Sequence, residues 1–312
     1  MIFYTQMKYK TLSFYGRGKL LLTSEYAVLS GARALALPCQ KGQKLTFEPL
    51  DSNELLWESF DINNNSWFKA KFQLPSCFIV TSSNTSISKR LCSILRRAQV
   101  LNPCFLKSQG GQVKTFLEFE RLWGLGSSST LVSNIAQWAN VNAYDLLEHS
   151  FGGSGYDLAC AVSKNPICYT RNKLHPLIEK VSFNPAFRKN LYFIYLNQKQ
   201  SSHNAIKGIK PSTFSKESLK ELNIITNDIL KCKTQESFNI LIEKHEGIIA
   251  RILQKKTIKQ LLFSDFEGAI KSLGAWGGDF IIASGDLDSP RYFNQKGFKT
   301  VITFEEMIYS CK

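Results

Sequence analysis

The chain has 312 residues, 44% hydrophobic and 21% charged, with a formal net charge of +14. That balance supports a buried core, argues against wholesale disorder, and at a prior of about 150 residues per domain amounts to two domains' worth of chain. No run approaches the ~18 apolar residues of a membrane-spanning helix, and Met1 to Lys10 lacks the apolar block of an export signal. A cytoplasmic protein with no membrane partner is therefore expected. In chain order, Lys19 to Leu22, Lys44 to Phe47 and Phe78 to Thr81 read as strands. Ser86 to Val100 carries Ile87, Leu91, Ile94, Leu95 and Ala98 at helical spacing. Thr115 to Phe119 is strand-like and leads into Gly124-Leu-Gly-Ser-Ser-Ser-Thr130. A helix follows, with Leu131, Ile135, Trp138 and Ala139 on one side. Next come a short helical piece at Tyr144 to Glu148, then Gly152-Gly-Ser-Gly-Tyr-Asp157, then the helical run Leu158 to Val162.

In the second half, Leu191 to Leu196 reads as a strand, followed by two long helices, Lys216 to Lys231 and Glu236 to Leu253. The pattern predicts a shorter helix ending at Gly274, a strand at Asp279 to Ala283, and a last strand at Lys299 to Phe304 before a closing helix. The composition shifts near residue 177, where a domain boundary is placed. No two of the eight cysteines are separated by only two residues, which excludes the usual zinc-finger and thioredoxin spacings. They read as reduced thiols, several of them buried. The basic residues are spread along the chain, with doublets such as Arg96-Arg97 but no basic arm. That distribution fits either an anionic partner or a solubilising surface.

The glycine-rich segments fail the familiar phosphate-binding patterns. A P-loop is excluded because Leu20 follows Gly18-Lys19 and Ser13 stands five positions before Gly18. Ser129 occupies the place of the third glycine of a dinucleotide fingerprint. Tyr156 takes the position of the final glycine of a nucleophile elbow around Ser154, and Asp265-Phe-Glu267 is not a protein-kinase metal triplet. What remains is Gly-Leu-Gly-Ser-Ser-Ser-Thr opening a helix. Its first-turn amides and hydroxyls suit an anion such as a triphosphate, or simply cap a helix after a tight turn. Lys19 at a strand end is either a cation for the same cavity or a surface residue. Asp157 is either a functional acid or a carboxylate favoured by a helix dipole. Gly274 to Gly278 also reads as a helix stop.

Taken together, in this order, these segments resemble the three motifs of the GHMP kinases, the superfamily of galactokinase, homoserine kinase, mevalonate kinase and phosphomevalonate kinase. Motif one resembles Gly18-Lys-Leu-Leu-Leu-Thr-Ser-Glu-Tyr-Ala-Val-Leu29, motif two Gly124-Leu-Gly-Ser-Ser-Ser-Thr130, and motif three Gly274-Ala-Trp-Gly-Gly-Asp-Phe280. Glu25-Tyr26-Ala-Val28, Gly153-Ser-Gly-Tyr-Asp-Leu-Ala159 and Asp279 resemble phosphomevalonate kinase in particular. Gly155-Tyr-Asp-Leu-Ala159 is also similar to the signature of a bacterial subgroup marked by Gly-Tyr-Asp-Ile-Ala. The chain departs from the pattern at Ser24, which replaces a glycine, and at Trp276, which replaces a small residue and would narrow an acceptor pocket. Only 22 residues (131 to 152) separate Thr130 from Gly153.

The resemblance implies an α+β fold of two domains. Residues 1–177 would form an ATP-binding domain of the ribosomal-protein-S5-domain-2-like type, and 178–312 a ferredoxin-like domain. It implies ATP and Mg²⁺ as cofactors, a small anionic metabolite as substrate, and a monomer or homodimer. Gly124, Leu125, Gly126, Ser127, Ser128, Ser129 and Thr130 would cradle the nucleotide phosphates. Ser128 would ligate Mg²⁺, with Glu148 the nearest acidic candidate beside it. Lys19 would hold the transferring phosphoryl group and keep Asp157 ionised and oriented. Glu25, Tyr26, Ser154, Ser201, Ser202, Gly277 and Gly278 would contact or shape the acceptor site. The implied reaction is phosphorylation of phosphomevalonate in isoprenoid synthesis. A kinase with a hydroxyl acceptor is the alternative, and a non-catalytic RNA-binding protein on the same fold the remote one.

Overall fold

The structure, a computed structural model, describes residues 10–148, 153–172, 175–198, 210, 213–274, 276 and 278–309. The chain forms two compact units. The first comprises the described residues of Met1–Gly16, Gly42–Glu120 and Ser127–Gly152, and the second those of Arg17–Lys41, Arg121–Gly126 and Gly153–Lys312. Strands β1 (Leu12–Leu21) and β2 (Ala34–Leu50) pair with one another, and each contributes residues to both units.

In the first unit, β2 is joined by β3 (Glu54–Phe60), β4 (Ser66–Gln73), β5 (Phe78–Ser82) and β6 (Gly110–Leu117), in the order β5-β4-β3-β6-β2. Strands β3 and β6 run parallel, with Trp57 opposite Val113. Parallel neighbours need a long crossover, and it contains helix α1 (Thr85–Leu101). Asn84 caps α1 by accepting from the Ile87 N–H at 3.1 Å. Period-two alternation buries Leu45 and Phe47 of β2, Leu55 and Trp57 of β3, and Phe68, Ala70 and Phe72 of β4. Helix α1 buries Leu91, Ile94, Leu95 and Ala98, and α2 (Ser127–Ala139) buries Val132, Ile135, Ala136 and Ala139. Trp138 lies 4.6 Å from Phe47 and 4.8 Å, edge-on, from Phe105. The short α3 (Ala143–Glu148) follows.

The second unit holds two sheets. In one, Ala34 to Ala36 of β2 pair with β7 (Ile167–Thr170), which pairs with β8 (Leu177–Lys180). Helix α4 (Tyr156–Val162) joins a core of Leu21, Val28, Ala34, Ala36, Ala159, Cys160, Ile167 and Tyr169. The other sheet is antiparallel, in the order β10-β11-β9-β12, from β9 (Leu191–Tyr195), β10 (Ala269–Ser272), β11 (Phe280–Ser284) and β12 (Val301–Thr303). Helices α5 (Lys216–Lys231) and α6 (Gln235–Leu253) pack together, and α6 covers β10. Both start where the sequence offers a cap, Ser215 and Thr234. Shorter helices α7 (Ile258–Leu262), α8 (Ser289–Gln295) and α9 (Phe304–Met307) complete the unit.

One element differs in kind from its sequence reading. The residues before Gly274 are strand β10, not the end of a helix, and Gly274 turns between two strands at φ +71°. All four β10 residues are buried, so the run lacks the one-sided period that separates a helix from a strand. Strands β3 and β4 had no counterpart in the sequence reading, although their alternation is regular. Among the described residues the cysteines are free thiols, with Cys39, Cys77, Cys92, Cys160 and Cys168 buried. No helix among them is long and apolar enough to cross a membrane.

The second unit's aromatic core sets its stability. Phe263 is fully buried, with ring centroids of Phe293 and Phe298 each at 5.1 Å. Phe263→Ala is expected to cost about 3–5 kcal/mol, read as a lower urea midpoint with unchanged slope.

Candidate active site

The segment from Arg121 to Gly126 belongs to the second unit and is tied to it at successive residues. Trp123 packs edge-on against Phe280 of β11 at 5.6 Å, and the Tyr195 hydroxyl of β9 donates to the Leu122 carbonyl at 3.2 Å. From β1, the Lys19 backbone N–H donates to the Leu125 carbonyl at 3.0 Å, and Lys19 Nζ donates to the Gly124 carbonyl at 3.0 Å. The turn's carbonyls are thus consumed by the scaffold, while its amides take no part in these bonds. Glycine is required at two positions. Gly124 has φ +67°, and a Cβ there would meet the Asp279 carboxylate at 2.4–2.8 Å. Gly126 has φ +87°, and a Cβ there would meet Lys19 Cγ at 3.2 Å and Cε at 3.3 Å.

Lys19 is half-buried at the end of β1. Burial pulls its pKa down, but the Tyr156 hydroxyl, Asp157 and Asp279 outweigh that and hold it above the ordinary lysine value. Its ammonium also lies 5.5 Å from the Tyr156 ring centroid. Burial raises Tyr156 itself to about 12, so it stays a neutral phenol. Asp157 is in the first turn of α4, where its Oδ1 accepts from the Leu158 N–H at 3.2 Å. Gly155 precedes the helix at φ +86°, and the Ser154 carbonyl accepts from the Tyr169 hydroxyl at 2.6 Å. Burial pushes Cys39 up to about 12 and Cys160 well above the usual thiol value, so neither supplies a thiolate. A small recess is lined by Lys19, Trp123, Gly124, Gly274, Asp279 and Phe280 among others.

Motif one folds into a strained turn. Ser24 has φ +63° and Tyr26 φ +60°, left-handed values uncommon for residues with a side chain. Ser24 is held there from both sides: its N–H donates to His245 Nε2 at 2.7 Å, and its hydroxyl donates to the Arg33 carbonyl at 2.7 Å. Glu25 is only 1% exposed and receives a hydrogen bond from Lys271 Nζ. The Tyr26 hydroxyl accepts from the backbone N–H of Trp276 at 2.9 Å, which joins motifs one and three. The Trp276 ring is itself buried.

The structure therefore brings together Lys19, Gly124, Leu125, Gly126, Asp157 and the neighbouring Ser154. Gly278 is buried beside Asp279. In the first unit, Ser127 to Thr130 form the opening of α2. Ser128 is exposed there, Ser129 and Thr130 are buried, and Thr130 Oγ1 donates to Gln43 Oε1 at 2.9 Å. Glu148 is exposed at the end of α3 in the same unit. Ser201, Ser202 and Gly277 lie outside the described residues. Among the described residues, no group of three or more His, Cys, Asp and Glu is placed to hold a metal alone. Sequence reasoning missed Tyr156 and gave Asp279 no role, although both sit inside motifs it had marked. It also missed His245 and Lys271, which no local pattern distinguishes.

No protein-family model matches the sequence, and no curated protein matches it. Comparison with solved structures finds the fold. The Streptococcus pneumoniae phosphomevalonate kinase superposes with a TM-score of 0.68 at 17% identity, covering 95% of this chain and 100% of the other. The Methanococcus jannaschii mevalonate kinase gives 0.65 at 15% identity, covering 95% and 98%. The Lactococcus lactis galactokinase, solved with galactose, gives 0.69 at 12% identity, covering 97% and 95%. The chain has the mixed α and β fold of the GHMP kinases.

The turn at Gly124 offers a direct test of this geometry. Gly124→Ala is expected to destabilise the chain by about 1–3 kcal/mol through backbone strain and the clash with Asp279. Adding Asp279→Ala should recover only the clash component, measured by urea denaturation of the single and double variants. A Gly124→Ala chain as stable as the parent would refute the packing described.

Proposed function

We propose that this protein is an ATP-dependent small-molecule kinase whose acceptor is a phosphorylated metabolite, with phosphomevalonate the leading candidate. The observation that carries this reading is the Lys19 ammonium, bonded to the Gly124 carbonyl and flanked by Tyr156 and Asp157. A glycine turn with its carbonyls engaged, next to an ammonium that stays charged across the neutral range, is a donor set that fits a polyanion. Gly124 and Gly126 let the Asp279 carboxylate and the Lys19 side chain lie directly against the turn. The chain continues from Gly126 into the serine-rich start of α2, so Ser127 to Thr130 extend the proposed phosphate-binding segment. Ser128 supplies an exposed hydroxyl as a metal ligand, with Glu148 as the acidic candidate. The proposed domains divide near residue 177.

Bound ATP would supply the transferable phosphoryl group, and Mg²⁺ would neutralise part of its charge. The chain's own residues position and compensate charge. Lys19 offsets charge on the group in transfer, and Asp157 helps keep Lys19 protonated. Tyr156 flanks the ammonium as a neutral phenol whose oxygen accepts from Lys19. Magnesium sites commonly combine one or two protein ligands with substrate phosphates, so a dedicated protein cage is not required. A complex of the pneumococcal phosphomevalonate kinase with phosphomevalonate and AMPPNP shares the fold, at a TM-score of 0.67 and 15% identity, which supports ATP and a phosphorylated acceptor.

A second reading, a hydroxyl acceptor such as mevalonate or a sugar, is favoured by Asp157 lying beside Lys19, where a base could take the hydroxyl proton. ADP release with Mg-ATP across phosphomevalonate, mevalonate, homoserine and galactose decides between them, and turnover on none would overturn both. With a phosphate acceptor, already largely ionised at neutral pH, Lys19→Met should lower kcat about 10²–10³-fold and Asp157→Asn by less than about tenfold. Comparable losses of about 10²–10⁴-fold in both variants would favour the hydroxyl acceptor.

A further inference from the structure

We infer that Glu25, Glu246, Lys271 and His245 form a buried positioning cluster that carries one proton on its two carboxylates and holds the motif-one turn in place. The cluster lies within the second unit, spans that turn, helix α6 and strand β10, and does not depend on the kinase reading. Its four members are nearly sealed from solvent: Glu25 is 1% exposed, Glu246 2%, Lys271 0% and His245 0%. Lys271 Nζ donates to Glu25 Oε1 and to the Ser272 carbonyl at 2.9 Å. The Ser272 hydroxyl donates to Glu246 Oε1 at 2.8 Å.

The charge count follows from the hydrogen bonds. His245 Nε2 accepts from the Ser24 N–H, so it carries no proton. The imidazole is then neutral, with its proton on Nδ1, 3.8 Å from Glu25 Oε2. Burial, then Lys271, drives the His245 pKa well below its ordinary value, in agreement. One ammonium therefore faces two carboxylates. If both were ionised, the sealed site would hold an uncompensated negative charge, a costly state that a bound proton removes. Glu25 Oε2 and Glu246 Oε2 are both buried without a hydrogen-bond partner, which leaves room for that proton on either side of Lys271. Burial raises Glu25 to about 7 against the pull of Lys271, and raises Glu246 as well. The two titrate as a pair, so the proton belongs to both.

The sign of the pH effect is opposite to that of an ordinary paired carboxylate. The folded pair binds more protons than the unfolded chain, whose glutamates titrate near 4.5. Stability from the two carboxylates is therefore fully present below about 4.5, declines as pH rises, and levels off above about 7, while His245, kept neutral in the fold, contributes in the opposite sense below its ordinary value of 6.5. Because Ser24 is held by His245, and Tyr26 meets Trp276 of motif three, the same proton loss would loosen the turn beside the candidate site.

Two measurements test the cluster. First, infrared difference spectroscopy of the wild-type chain at pH 6 against pH 8 should show a buried protonated carboxyl band that disappears on deprotonation. Second, proton uptake on folding can be counted by calorimetric unfolding at pH 6 in buffers of different ionisation enthalpy. Glu25→Gln or Glu246→Gln leaves a single carboxylate for Lys271, so each should reduce uptake by about one proton and remove the infrared band. Wild-type protein without the band would overturn the inference, as would either variant keeping both the band and the full uptake. Should a variant fail to fold, the wild-type spectrum decides alone. If the chain turns over a substrate, an inflection near 7 in the wild-type pH profile should be absent from Glu25→Gln. If no turnover is found, the proposed activity fails while calorimetry and spectroscopy still judge the cluster.

Discussion

The organising constraint of the candidate site is that the Lys19 ammonium is partly withdrawn from water and stays charged. Burying an unpaired cation costs several kcal/mol, so its surroundings are arranged to supply negative potential: the Gly124 carbonyl, Asp157, Asp279 and the Tyr156 oxygen. Local sequence choices follow from that requirement. Gly126 is a glycine because the Lys19 side chain runs across its α carbon, and Gly124 because the Asp279 carboxylate lies against it. Asp157 is placed at the start of α4 by Gly155 in a left-handed conformation, which lets the chain turn sharply into the helix. One charge thus accounts for residues in all three glycine-rich segments.

The second buried cation, Lys271, obeys the same rule with a different outcome. Lys19 is half-buried, with Tyr156 and Asp157 partly exposed beside it, whereas Lys271 and both its carboxylates are sealed. Sealing converts a charge excess into a proton-binding equilibrium, because solvent cannot screen it. Around this cluster the departure at Ser24 finds its explanation. A glycine would adopt φ +63° without strain. Serine does so at a cost of about 1 kcal/mol or more, offset by bonds from its amide to His245 and from its hydroxyl to the Arg33 carbonyl.

What could be read from the sequence divides along the range of the interactions. Helices α1, α5 and α6 were legible because period and caps are local, and the glycine turns because their conformational demands are local too. Strand β10 was misread, since Ala-Ile-Lys-Ser between Gly268 and Leu273 has no one-sided pattern once every residue is buried. The motif resemblance placed Lys19, Gly124, Gly126 and Asp157 in one site, and the structure unites them. It treated Glu25 as an acceptor residue, and burial against Lys271 gives that side chain a different set of neighbours. His245 lies 221 positions from Ser24, and Lys271 lies 246 from Glu25. Nothing within a sequence window signals either contact, because the fold alone brings them together.

The charge inventory also constrains how an anion would be recognised. The net +14 of the chain invites the view that a basic field draws in a polyanionic substrate. Around the candidate site the balance is otherwise: the Lys19 ammonium stands among two carboxylates, Asp157 and Asp279, and the Lys41 ammonium lies 5.9 Å from the Trp123 ring centroid. Net local charge therefore does not select a phosphate there. On the proposed reading, selection would fall to directed donors, the turn amides and the Lys19 N–H groups, acting over hydrogen-bond distances where orientation outweighs the summed field. For the proposed reaction, a divalent cation accompanying the nucleotide would supply positive charge that Lys19, already offset by Asp157 and Asp279, does not.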